Sequence, residues 1–219
     1  MKRLILWGSA LTFFAAACPA FAARGNPGMP AFKGDWHPVV GSGAVYQMKQ
    51  KNQPAVDWEV AVVGKEEGGY WVETRMSVPE PMVMKMLIVP PGGVKRTIMK
   101  AGKEPAIEMP VMQGHAAPET DLKQSAKLIG KEQVSTPTGN FACDHYQTQD
   151  GKLAADVWIT AQISPYGLVK MTSKDTTMVL SKIVKGATTR ITETPQKFDM
   201  PKGMPNLSDL MKEISKENN

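Results

Sequence analysis

From Ala44 onward the chain alternates short β-prone runs with turn signals, and no helical pattern intervenes until its last residues. This punctuation constrains the fold more than any other feature. Strands joined by short turns pair as antiparallel neighbours, whereas parallel pairing needs long crossovers. The runs span 44–50, 56–63, 70–78, 82–89, 94–100, 126–134, 140–147, 153–160, 168–172, 176–184 and 188–194. In the second, Trp58, Val60 and Val62 share a face opposite Asp57, Glu59 and Ala61; in the third, Tyr70, Val72, Thr74 and Met76 oppose Trp71, Glu73 and Arg75. One face is expected to be buried and the other largely wet. Residues 82–89 also suit a short helix, because Met, Lys and Leu favour helices, but the run is read as a strand.

About ten such strands predict a mainly β (α+β) fold, a strongly curved antiparallel half-barrel rather than a βαβ architecture. Residues 101–122, with Pro105, Pro110, Gly114 and Pro118, form a long irregular connection that suits a lid. A C-terminal helix is expected to close the chain. Asn206 caps it, and Leu207, Leu210, Met211 and Ile214 make an apolar stripe against Asp209, Lys212, Glu213 and Lys216.

The N-terminus reads as an address. Lys2 and Arg3 precede an apolar run at 4–17, and Ala20-Phe21-Ala22 is a small-x-small cleavage site, so residues 1–22 are expected to be a secretory signal peptide. Residues 23–43, rich in Gly and Pro, form an extended leading segment, and 44–219 a single domain. The apolar run is too short to span a bilayer comfortably, and no later stretch reaches the ~20 apolar residues of a membrane helix. The expected location is the periplasm. A competing use of Ala15-Ala16-Ala17-Cys18 is a lipoprotein box, with Cys18 lipidated and kept as an anchor.

Cleavage removes Lys2 and Arg3 from a net charge of +5, leaving a mild excess that is no nucleic-acid signature. It also removes Cys18, so Cys143 has no intramolecular partner and the fold must rest on its core. Lys95, Arg96, Lys100 and Lys103 cluster without interleaved aromatics, as a solvated strand face does.

No nucleotide-binding loop, zinc-protease motif, serine elbow or CxxC pair occurs, and the chain is read as a non-enzyme without a cofactor. The best reactive cluster is Cys143-Asp144-His145. Alternation puts Cys143 and His145 on one face, but no third orienting group is identifiable.

Methionine is the compositional anomaly, since its 15 residues equal all Trp, Tyr and Phe together. Met82, Met84 and Met86 alternate, so on a strand their thioethers share a side. Such side chains fill grooves that accept variable apolar shapes. Met109, Met112 and His115 follow in the irregular segment, and soft ligands of this kind also suit Cu(I).

The stretches 136–146 (TPTGNFACDHY), 156–160 (DVWIT) and 164–171 (SPYGLVKM) follow the order turn, strand, Trp strand, then Pro/Gly corner and strand. In this the chain resembles bacterial secreted proteins related to the outer-membrane lipoprotein-sorting carriers, over about residues 126–184 and more weakly over 44–100. The resemblance implies an open curved half-barrel with a helical lid and a hollow that carries lipid. No functional residue is carried over from it.

Together these features predict a periplasmic binding protein holding a lipid or lipoprotein acyl chain in an apolar concavity. Met82, Met84, Met86, Trp158, Tyr166 and Met171 are the expected lining. An envelope protein partner and transient membrane contact fit that role. The alternatives are a Met/His-rich copper-binding protein and an envelope structural module without a small ligand.

Overall fold

The computed structural model describes residues 35–66, 68–77, 81–90, 93–110, 126–148 and 154–198. The strands are β1 (Ser42–Gln50), β2 (Val56–Glu66), β3 (Gly69–Ser77), β4 (Pro81–Val89), β5 (Gly93–Ala101), β6 (Ile107–Met109), β7 (Ala126–Thr136), β8 (Gly139–Thr148), β9 (Ala155–Ile159), β10 (Leu168–Ser173), β11 (Thr176–Lys185) and β12 (Gln196–Lys197). They make one sheet in the order β12-β6-β5-β4-β3-β2-β1-β11-β10-β9-β8-β7. Every pairing is antiparallel except the short parallel contact between β12 and β6. Two meanders, β1 to β6 and β7 to β11, are joined through the β1–β11 ladder.

The sheet is not closed into a barrel, because its edge strands β12 and β7 do not pair with each other. It does curl. Parts of β7 approach β10 and β11 within 8 Å between Cα atoms, although a flat sheet would set them about 14 and 19 Å away.

Register divides the side chains between two faces. On the first, Tyr46 stands opposite Trp58 and Leu180, Ala44 opposite Val60, and Val62 opposite Val72. Tyr46, Val60, Val62, Val72, Met178 and Leu180 are almost wholly buried there and form the main core. Tyr46 Oη donates to Leu168 O at 3.2 Å, which satisfies its one polar atom inside that core. Gly43 permits close packing of β1 on β2, since a Cβ there would lie 2.3 Å from Val60 O and 2.6 Å from Ala61 Cα.

The second face is not simply wet. Trp71, Val83, Leu87, Ile98, Ala106 and Ile191 pack into a smaller cluster on it. Residues 188–194, expected to be a strand, instead form part of an irregular strap. The Glu73 carboxylate accepts from Arg190 N at 3.1 Å and from Thr189 Oγ1 at 2.9 Å, so at Arg190 a side chain takes the place of a ladder partner. Arg190 Nη2 lies 3.0 Å from Glu59 Oε1.

Residues 82–89 are a strand despite their helix-favouring composition, because β3 and β5 pair with them on both sides and tertiary pairing overrides local propensity. β6 and β12 were not expected; at three and two residues they are too short to leave a periodic signal. The expected signal peptide, the C-terminal helix and most of the irregular segment after Met109 lie outside the described residues. No helix among the described residues is long and apolar enough to cross a membrane.

The leading segment is held where it is described. His37 N donates to Pro165 O at 2.7 Å and Val39 N to Ser164 Oγ at 3.1 Å. Trp36 packs against Tyr70 and Tyr166, with ring centroids 6.2 and 5.4 Å away.

Candidate functional site

The methionines sort onto one face. Cross-strand partners share a face, and the ladders pair Met48 with Met178, Met178 with Met171, Met76 with Met82 and Met84 with Met99. Met86 stands opposite Val72 and Thr97, and Thr97 opposite Met109. All nine methionines among the described residues therefore lie on the face of Tyr46, Trp58 and Val60. Met86 and Met178 are buried, whereas Met48, Met76, Met82, Met84, Met99, Met109 and Met171 are only half-buried. The packed centre of this face thus gives way to a thioether-rich margin that solvent can reach.

Four of the expected lining residues, Met82, Met84, Met86 and Met171, share this face. Trp158 does not. It pairs with Lys170 and His145, one residue out of step with the Val157–Met171 pair, so alternation sends its indole to the opposite side. Tyr166, within the Pro/Gly corner, is 1% exposed and packs against Trp36, so it offers no open surface. Burial pushes its phenol well up, and burial followed by the neighbouring Tyr166 does the same to Tyr46. Met48, Met76, Met99, Met109 and Met178 are absent from the expected lining. Met76 was legible from alternation within its run, but placing the others needs the register between strands.

Trp158 belongs instead to a polar cluster on the opposite face. His145 Nδ1 lies 2.8 Å from Glu132 Oε1, and His145 Nε2 lies 2.9 Å from Asp156 Oδ1. Trp158 Nε1 donates to Glu132 Oε2 at 2.8 Å, and Lys170 Nζ sits 4.7 Å from the centre of the indole. The Trp158 N–H, then His145, hold the Glu132 carboxyl below the usual carboxylate range. Both ring nitrogens of His145 and both oxygens of Glu132 are engaged within the cluster, so it works as a cross-strand brace.

Cys143 and His145 do share a face, as alternation predicts, yet the thiol is not activated. It is buried, its Sγ donates to Phe141 O at 3.6 Å, and burial followed by Asp144 pushes it up to about 11. No group of three His, Cys, Asp or Glu among the described residues could hold a metal ion. Of the expected copper ligands, Met109 is on β6, while Met112 and His115 lie outside the described residues.

The basic cluster is spoken for in part. Arg96 Nε donates to Glu108 Oε1 at 2.7 Å and its guanidinium lies over Trp71, while Lys100 pairs with Glu193. A cavity of about 240 Å³ lies between Glu59, Glu73, Lys185 and Arg190. It is smaller than the ~300–1,000 Å³ usual for ligand pockets, and Arg190 engages both of its acids.

The fold and the site define an open, mostly antiparallel β-sheet protein with one methionine-lined apolar face. No protein family and no curated protein matches the chain. Among solved structures, a candidate lipoprotein from Parabacteroides distasonis is 12% identical with a TM-score of 0.32, over 69% of this chain and 99% of its own. A candidate exported protein with a YmcC-like fold from Bacteroides fragilis is 13% identical with a TM-score of 0.32, over 69% of this chain and 100% of its own. Likeness at this level transfers neither fold nor function.

Proposed function

We propose that this chain is a periplasmic, non-catalytic binding protein that holds a lipid or lipoprotein acyl chain in a half-barrel concavity lined by its methionine face. The observation that carries this reading is the gathering of all nine described methionines on one face, seven of them half-buried. Leucine fills a closed core at least as well. A flexible thioether suits a surface that must accept apolar shapes that vary. Each methylene withdrawn from water contributes about 0.8 kcal/mol, so an acyl chain needs no specific polar contact for appreciable affinity. The signal-peptide pattern at residues 1–22 directs such a carrier to the envelope, where it would exchange cargo with a protein partner or a membrane surface.

Native mass spectrometry of protein purified from the periplasm, paired with titration of a fluorescent fatty-acid analogue, tests this. Co-purified lipid and micromolar binding are expected. Met84→Glu, on the methionine face, should weaken binding at least tenfold; Trp158→Ala, on the opposite face, should leave it unchanged. A bare mass with no binding at micromolar probe would overturn the reading in favour of an envelope module without a small ligand.

A further inference from the structure

We infer that Met76, Met82, Met84 and Met99 form a binding site for one soft monovalent metal ion, Cu(I), for which Ag(I) is a redox-inert substitute. Met76 is paired directly with Met82 across β3 and β4, and Met84 directly with Met99 across β4 and β5. Met82 and Met84 are two residues apart on β4 and so face the same way. Directly opposed residues hold their Cβ atoms about 4.5–5.5 Å apart, and alternate residues along a strand stand about 7 Å apart. Each sulfur lies two bonds beyond its Cβ on an unbranched chain, so Met82 and Met84 can close on one ion with either Met76 or Met99 as the third thioether, without moving the backbone.

The surroundings select the ion. The remaining cross-strand partners of these four residues are Trp58, Thr74, Ala101 and Ile107, which offer no carboxylate or imidazole. A set of neutral thioethers suits Cu(I) and disfavours ions that prefer oxygen or nitrogen. All four methionines are half-buried, which leaves them reachable while limiting competition from water. This quartet does not include Met109, Met112 and His115, the soft side chains of the irregular segment.

The experiment uses full-length secreted protein labelled with [methyl-¹³C]methionine and titrated with Ag(I). The expected result is one equivalent bound, with the methyl resonances of Met76, Met82, Met84 and Met99 shifting and that of Met178 unmoved. Thioethers do not titrate, so affinity at pH 5 should match that at pH 7. The variant M76L/M82L/M84L/M99L should lose at least tenfold in Ag(I) affinity, since leucine keeps the apolar area and removes the sulfur. Unchanged affinity in that variant, shifts confined to other methionines, or a tenfold loss at pH 5 would overturn the site; if the variant does not fold, the methyl shifts of the parent protein decide. A protein that takes Ag(I) but no fatty acid keeps this site and loses the acyl-chain function, and the converse result does the reverse.

Discussion

The imidazole of His145 lies flat on the indole of Trp158, with ring centroids 4.4 Å apart and planes 15° from parallel. The two residues are direct partners across β8 and β9, and Glu132 on β7 reaches over to bond both rings. One acidic side chain thereby ties three adjacent strands at the end of the sheet where β7 has no outer partner among the described residues.

This tie has a predictable pH dependence. The Trp158 N–H, then His145, lower the Glu132 pKa from about 4.5, so its stabilising contribution is fully present above that value and is lost as pH falls through the lower folded one. Glu132→Gln should lower the urea midpoint at pH 7, and the gap between the two proteins should narrow at pH 3. An equal gap at both pH values would mean that the charge of Glu132 plays no part.

Cys143 should be inert in the native protein. With its thiol pushed up to about 11 by burial and then Asp144, only about one molecule in a thousand carries a thiolate at pH 8. Iodoacetamide should leave Cys143 unmodified over hours under native conditions and alkylate it within minutes in 6 M urea, with the mass shift as readout. Fast native alkylation would show an exposed, activated thiol instead.

Gly43→Ala tests how closely β1 packs on β2. The new methyl would meet backbone atoms of Val60 and Ala61, which cannot swing aside as a side-chain tip can. A loss of about 1–3 kcal/mol is expected, the usual cost of overpacking. Gly130→Ala meets nothing within 4 Å and serves as the matched control.

Glu73→Ala should loosen the strap after β11. The carboxylate is 4% exposed and accepts from Arg190 N and Thr189 Oγ1, so its removal leaves both donors without that partner at a cost of about 1–3 kcal/mol. Amide hydrogen exchange should quicken at Arg190 and Ile191 well before it changes in β2 or β3. Uniform acceleration throughout the sheet would point to global destabilisation instead.

Sequence alone determined the local terms of this fold. Alternation separated Trp58, Val60 and Val62 from Asp57, Glu59 and Ala61, and Tyr70, Val72, Thr74 and Met76 from Trp71, Glu73 and Arg75, because side chains on a strand switch face at every residue. It also put Met82, Met84 and Met86 together. Only the tertiary structure decided which strands would be neighbours and in which register. That choice brought Met99 to Met84, Met76 to Met82 and Met178 to Met48, and it turned Trp158 away from Met171. The reason is physical: a shift of one residue in pairing reverses the face of a whole strand, and the register is set by the geometry of each turn and, for β1 and β11, by a partner about 130 residues along the chain. A sequence can therefore show that a strand has two unlike faces before anything in it shows what each face will meet.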